Sequence, residues 1–404
     1  MNAGGAAIPS RAISFLSFAA FASGANLRVC DALLPQIAGD FSVTVGRASI
    51  VVSAFSVTYA VLQAFFGPLG DRLGKYRVIC WATFASGGGI LICALAPSLG
   101  VLTAGRVLTA LGGAAIIPLS MAWIGDVVAY DARQGVLARF LGGQIMGFIL
   151  GQSIGGIIGD HLGWRAAFLA LLAAHLAAAV GLLIELRRNP DKALFAPSAA
   201  APAGIGAALR GLIAITRRPW VPVVLCSVCA EGVLIYGALA FAGAHLKATH
   251  DLSYTAIGAL LAFFGGGGLL YAVTAQRLVT RLGEAGLAQA GGALAGLALL
   301  ALAFLPSAAA AAGAIFALGL GFYMLHNTLQ TNATQMAPQA RGAAVAVFAQ
   351  VFFLGQAAGV WANGLVVDRY GAVPGFVLAA CALPALGFWL ARRIRARAAG
   401  APTN

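Results

Sequence analysis

Asp31 and Glu231 are the carboxylates that fall deep within long apolar runs, and Arg28 and Arg106 are the cations that do so. A charge in hydrocarbon is costly, so such residues mark ion or substrate paths by default. A carboxyl in an intermittently wetted site can load and release protons. An arginine that approaches it in only one conformation would tie proton affinity to conformation. Arg28 and Asp31 stand three apart on one helix face, so a permanent local ion pair is the other reading of both. Glu231 has no cation near it in sequence and is either neutral at rest or faces a cavity. His326, Asn327 and Gln330 repeat at three- and four-residue spacing, as groups lining a path or hydrogen-bonding between helices would. Asn26 and Tyr236, on the same stretches as Arg28 and Glu231, join the candidate substrate-lining set. His175, alone among alanines and leucines, reads as a hydrogen-bonded packing residue. No nucleophile with its base and no His-x-x-x-His or Glu-x-x-His cluster occurs. Neither an enzyme nor a metal or other cofactor is therefore expected.

The elements that hold these groups must be membrane spans. Of 404 residues, 61% are hydrophobic and 9% charged, where a soluble domain carries roughly a quarter charged. Runs long enough to cross ~30 Å of hydrocarbon lie at 13–36, 49–69, 76–96, 99–123, 137–161 and 165–186. A second set lies at 219–244, 254–275, 285–305, 308–330, 342–366 and 373–394. The run 254–275 is interrupted by Gly265 to Gly268, and small residues flank Pro306. The reading is an all-α membrane protein of twelve transmembrane helices.

A net charge of +13 raises the question of a nucleic-acid partner, and the placement of Lys and Arg answers it. With the N-terminus inside, the inner segments hold Arg72, Lys75 and Arg77, then Arg133 and Arg139, then Arg187 to Arg218, and so on to the cluster Arg392 to Arg397. The outer loops hold only Arg47, Arg165, Lys247 and Arg369. That bias is the positive-inside rule, so basicity records topology, and no nucleic acid is expected. Both termini are expected in the cytoplasm of a bacterial inner-membrane protein. Arg11 before an apolar run could be misread as a signal peptide, but cleavage would delete the first span and leave its repeat partner unmatched. The six cysteines all fall in apolar spans and read as small core residues.

Two halves repeat. At an offset of 208, Arg133 falls on Arg341, Phe140 on Phe348, Gly147 on Gly355, Gly156 on Gly364, Asp160 on Asp368 and Phe168 on Phe376. At 209, Leu69, Arg72, Leu73 and Gly74 fall on Leu278, Arg281, Leu282 and Gly283. Units of six spans share one orientation and enclose a site between them. The expected organisation is an N-terminal six-helix bundle, 1–186; a cytoplasmic linker with an interfacial helix, 187–218; and a C-terminal six-helix bundle, 219–404.

The loop after the second span reads Gly67-Pro-Leu-Gly-Asp71-Arg72-Leu-Gly74-Lys75-Tyr-Arg77. It resembles the signature loop of the major facilitator superfamily, G-x-L-x-D-R-x-G-R-x-x, with lysine at an arginine position. Gly67 and Gly74 suit a close helix approach and a tight turn. The resemblance implies a cytoplasmic gate in which Asp71, Lys75 and Asp126 cluster, with Arg72 and Arg77 beside them. Further stretches resemble the twelve-span drug:proton antiporter branch. Arg106-Val-Leu-Thr109-Ala110-Leu-Gly112 is similar to its fourth-span motif, with Thr109 and Ala110 replacing Gln and Gly. Gly147-x-x-x-Gly151-Gln152-x-x-Gly155-Gly156 is similar to its fifth-span motif, with Gln152 in the place of proline. Asp31 with Pro35 resembles the acidic residue and proline of its first span.

What the resemblance implies is a monomeric secondary active transporter in the lipid bilayer. It would couple protons to the efflux of small amphipathic molecules by alternating access. Asp31 and Glu231 would carry protons, and Arg28 and Arg106 would tune them. The alternative is a proton-coupled symporter importing a sugar or organic anion, with the arginines binding the substrate.

Overall fold

The computed structural model describes residues 9–197, 206, 215–216, 218–304, 307–337 and 341–400. Among them, eleven helices are long and apolar enough to cross a membrane. They are α1 Ser10–Asp40, α2 Val45–Leu73, α3 Lys75–Ala94, α4 Leu99–Val127, α5 Asp131–Leu162, α6 Trp164–Arg188, α7 Val221–His250, α8 Tyr254–Phe304, α9 Ala308–Thr334, α10 Arg341–Tyr370 and α11 Val373–Ala398. A helix satisfies its own backbone, which lipid cannot do for it. Large apolar side chains stand on the outside, Val273 at 81% exposure and Trp361 at 62%, as suits a surface bathed in hydrocarbon.

The sequence reading separates the eighth and ninth spans by a loop, 276–284. In the structure both belong to α8, which is 51 residues long. At 1.5 Å per residue that is about 76 Å, more than twice the thickness of the hydrocarbon core. Its interior break is Gly283, with φ 65° and ψ 175°. The expected loop thus shrinks to one residue, because helix-forming sequence runs up to that glycine from both sides. Positive φ recurs at the repeat spacing: Ser42 and Asp251, Gly74 and Gly283, Gly163 and Gly371.

Glycines set the closest helix contacts. A Cβ at Gly143, Gly147 or Gly151 of α5 would strike the backbone of Ser17, Phe21 or Ala25 in α1. Their counterparts Gly355 and Gly359 of α10 lie equally close to Cys229 and Val233 of α7. Small residues let helix backbones touch, and dispersion contacts then hold them without help from water. The same physics explains Gly265 to Gly268, which do not interrupt α8. Gly267 rests on the Phe316 carbonyl of α9 and Gly265 on Ile149 of α5.

Of the six cysteines, only Cys30, Cys80 and Cys93 are buried. Cys226 and Cys381 are exposed and Cys229 is partly so, which corrects the reading of all six as core: an apolar span has a lipid face as well as a packed one. Much of the second part of the expected linker 187–218 with its interfacial helix, including Arg210 and Arg217, lies outside the described residues, as do Pro202 and Pro306. The start of the linker is packed. A 3₁₀ turn, Lys192–Phe195, puts the buried ring of Phe195 4.8 Å from Tyr76 and 6.3 Å from Trp123, the latter stacked at 3°. The Trp123 indole nitrogen donates to the Leu194 carbonyl at 2.8 Å. Phe195→Ala is expected to destabilise the protein by about 3 kcal/mol, the usual cost of emptying a packed aromatic site. Thermal denaturation in detergent measures it.

Candidate functional site

Asp31 and Arg28 are both buried on α1. The Arg28 guanidinium donates to Asp31 Oδ2 at 3.4 Å, and the Gln152 amide of α5 donates to the same oxygen at 3.1 Å. Arg28 also lies over the Tyr236 ring of α7 at 4.1 Å and over Phe148 of α5 at 5.7 Å. A flat guanidinium suits both tasks, an ion pair at its edge and a ring against its face. The pair therefore sits where α1, α5 and α7 meet, between the two halves of the chain.

On the second-half side, Tyr236 belongs to an aromatic cluster. Phe264, Phe322 and Phe352 lie 6.2, 5.5 and 5.5 Å from it. Glu231, five residues earlier, is fully buried, and its Oε2 is 2.7 Å from His326 Nδ1 of α9. The imidazole packs on Phe322 and Phe352 at 4.9 and 4.8 Å. Between Glu231 and Gly237 the helix widens into a π turn, Gly232–Tyr236. Such turns free backbone groups and occur often at functional sites. Here the Asn363 amide of α10 donates to the Gly237 carbonyl at 2.7 Å.

Arg106 is fully buried on α4. Its guanidinium donates to the Val51 carbonyl at 3.3 Å and to the carbonyl and side-chain oxygens of Asn26 at 3.0 and 2.9 Å. It also stacks on Phe55 at 4.2 Å. Arg106 therefore ties α4 to α1 and α2, and Asp31 pairs with Arg28 instead. Asn26 is correspondingly an acceptor for Arg106. On α9, His326 alone of the expected trio reaches the buried carboxylate; Asn327 donates to the Tyr323 carbonyl of its own helix, and Gln330 is exposed. His175 is buried with Nδ1 3.0 Å from the Leu171 carbonyl.

At the Lys75 end, the Lys75 ammonium bridges Asp71 at 2.8 Å and Asp126 at 2.7 Å. The cluster joins α2, α3 and α4 within the first half, and Arg72 and Arg77 are exposed beside it. Gly74 makes the turn with φ 90°. Gly67 has open space around it, and the close approach expected there falls at Gly70, against Leu119 of α4. In the fifth-span motif Gly155 faces Val29 of α1, while Gly156 faces Tyr254 of α8.

Gln152 enters the sequence reading only as a departure from a motif. It stands where the resembled motif has proline, and its amide supplies Asp31 with a donor from 121 residues away. Two further pairs escape notice in the sequence. Arg11 meets the buried Glu185 at 3.3 Å, and Asp40 accepts from Arg165 at 2.5 Å and from the Trp164 indole at 3.1 Å. All are long-range in sequence, and only the repeat or the family spacing could have signalled them.

Buried charged and polar groups from both halves of a bundle of membrane helices meet at one seam, as in transporters built from two parallel repeats. The chain belongs to the Major Facilitator Superfamily, whose model matches residues 16–360, a family of transporters rather than enzymes. It is a multi-pass protein of the bacterial inner membrane. A chloramphenicol resistance protein of Streptomyces lividans is 28% identical over 369 residues, 87% of this chain and 92% of that one. The uncharacterized MFS-type transporter YwfA of Bacillus subtilis is 27% identical over 271 residues, 67% of this chain and 64% of the relative. Two other relatives, YtbD of Bacillus subtilis and YgaY of Escherichia coli, are matched over 46% and 39% of their lengths. Among solved structures, a bacterial homolog of the human lysosomal transporter Spinster, inward-facing and unoccupied, has a TM-score of 0.74 at 18% identity, covering 96% of this chain and 98% of that one. The peptide transporter POT with sulfate has a TM-score of 0.74 at 16% identity, covering 95% and 94%. The human organic anion transporter MFSD10 has 0.68 at 16%, covering 95% and 100%. These likenesses are likenesses of fold.

Proposed function

We propose that the chain is a proton-coupled symporter that imports a small organic anion. One observation carries the reading: Asp31 holds Arg28 at 3.4 Å while Arg28 lies 4.1 Å over Tyr236 at the aromatic seam. A proton on Asp31 cancels the charge that holds the guanidinium, which then offers its donors to an anionic group beside Tyr236. Proton and anion favour each other's binding, and by linkage that coupling is reciprocal. Favourable joint binding is the condition for carrying both in one direction. Glu231 with His326 is a second proton site on the opposite wall, and the rings of Phe322 and Phe352 bind the apolar part of the substrate.

In this reading the chain crosses the membrane twelve times, α8 folding at Gly283 into two crossings. Residues 1–186 and 219–404 form two six-helix bundles joined by the linker 187–218, with both termini and the Lys75 cluster cytoplasmic. The positive-inside bias and the offsets of 208 and 209 support this arrangement. The cluster of Asp71, Lys75 and Asp126 would shape the cytoplasmic gate.

Efflux of small amphipathic molecules in exchange for protons is the second reading. The likeness to the Streptomyces lividans chloramphenicol resistance protein over most of both chains and the resemblance to the antiporter motifs favour it. Purified protein in proteoliposomes separates the two. Under an imposed inward proton gradient, a panel of labelled organic anions, sugars and amphipathic drugs is followed in both directions. Accumulation of an anion supports symport, and outward pumping of a drug overturns it. Arg28→Lys keeps the charge but loses the planar fork. It is expected to raise KM for the anion about tenfold with little change in kcat, the signature of weakened uniform binding, read from initial uptake rates.

A further inference from the structure

We propose that Asp160 and Asp368 are two pseudo-symmetric latches that hold the halves of the transporter closed at the end opposite Lys75. Asp160, at the end of α5, accepts from the Tyr254 amide at 2.8 Å and from the Thr255 amide at 2.6 Å, at the start of α8. Asp368, near the end of α10, accepts from the Gly46 amide at 2.7 Å and from the Thr44 hydroxyl at 2.6 Å, at the start of α2. Each carboxylate reaches from one half of the chain into the other. The two sets are the same contact made twice: 160 and 254 map onto 368 and 46 when 208 is added to 160 and to 46.

The surroundings repeat as well. Gly156, one turn before Asp160, lies against the Tyr254 carbonyl, and its counterpart Gly364 lies against the Gly46 carbonyl. These glycines let the backbones come close enough for a short aspartate side chain to reach the amides. Amides in the first turn of a helix have no partner within it, and the N-terminal end carries partial positive charge, so a carboxylate is the fitting occupant. Ser253 and Thr44 cap the same turns from within, accepting from the Ala256 and Arg47 amides at 3.1 and 3.3 Å. Each helix start would thus stay capped when the halves part, and the aspartates add a bond that exists only in the closed state. A contact made in one of two states biases the equilibrium between them.

Inward from the latches the seam stays closed through Gln356 to Ser56 at 3.1 Å and Tyr59 to Phe353 at 4.7 Å. The latches lie at its rim. Calling this rim the outward one rests on the orientation given above; its closure by the latches does not.

The test is hydrogen exchange on the full-length protein in lipid nanodiscs, with Asp160→Asn and Asp368→Asn compared with the parent. A cap that serves only its own helix start accelerates exchange only there. A latch that holds two rigid halves together must also loosen the partner rim. Asp160→Asn is therefore expected to speed exchange about tenfold in 44–50 as well as in 251–257, and Asp368→Asn to do the same in reverse. Exchange around Lys75 is expected to slow as that end closes. Thr44→Ala, which removes a single hydroxyl, is expected to give a smaller acceleration in 251–257 and serves if either asparagine variant fails to fold. Acceleration confined to the segment facing the altered residue overturns the proposal. Membrane-impermeant amine labelling of Lys247 against Lys75 reports orientation separately, so a wrong topology and a wrong latch give different results.

Discussion

Asp31→Asn is expected to abolish accumulation against a gradient while leaving the exchange of substrate across the membrane intact. Asparagine matches the shape of a protonated aspartate and its side-chain oxygen still accepts from Gln152, so the pocket persists, but it cannot give up a proton. Arg28 is then available to the anion at every stage, and the membrane's proton gradient no longer does work on the substrate. With no titrating group to couple to the gradient, proton-driven accumulation should fall at least about a hundredfold, toward the level of empty vesicles. Counterflow, in which labelled substrate exchanges for unlabelled, should stay within about threefold of the parent, since it needs no net proton movement. Measuring both on the same vesicles separates a coupling defect from a folding defect. Counterflow lost together with uptake would place Asp31 in the substrate site or in the fold.

The second large effect is structural. Gly151 has the Ala25 backbone of α1 directly above it, and a Cβ at this position would fall 2.5 Å from the Ala25 Cα. A valine there cannot be accommodated by turning a side chain, because the obstacle is backbone, so α5 and α1 must move apart. That separation also pulls Gln152 from Asp31 and breaks the seam that α5 shares with α8. Gly151→Val is expected to destabilise by more than about 3 kcal/mol and to leave little folded protein. Gly142 lies on the same helix with open space around it. Gly142→Val is expected to stay within about 1 kcal/mol of the parent, so the pair isolates helix contact from helix propensity. Thermal unfolding followed by size-exclusion chromatography reads both.

Much of the fold is written locally, and the spans are the clearest case. Apolar length and the alternation of basic loops need no tertiary information, and ten of the expected runs coincide with separate helices. The remaining two, 254–275 and 285–305, are the two arms of α8, which meet at the kink of Gly283 in place of the expected loop. The Arg28–Asp31 pair is legible because three residues of spacing fixes a helix face. Its third member is not: Gln152 comes from α5, and nothing in its own neighbourhood says that its amide is needed elsewhere. Arg106 shows the converse. Its charge inside a span announces importance, but only the structure reveals that Asn26 and the Val51 carbonyl accept from it in this conformation. Phe195 is hidden for another reason, since an Ala/Pro-rich linker has no periodicity to predict a buried face. The Asp160 and Asp368 match is visible in the repeat, yet its meaning depends on where each helix end meets the other half.

Symport of the kind proposed requires that a proton on Asp31 and an anion at Arg28 bind together. The direct measurement is the pH change when a transported anion is added to the purified protein in weakly buffered detergent solution. Net proton uptake on binding is expected, and its loss in Asp31→Asn. Proton release on binding, or uptake undiminished in that variant, is incompatible with coupling through this pair.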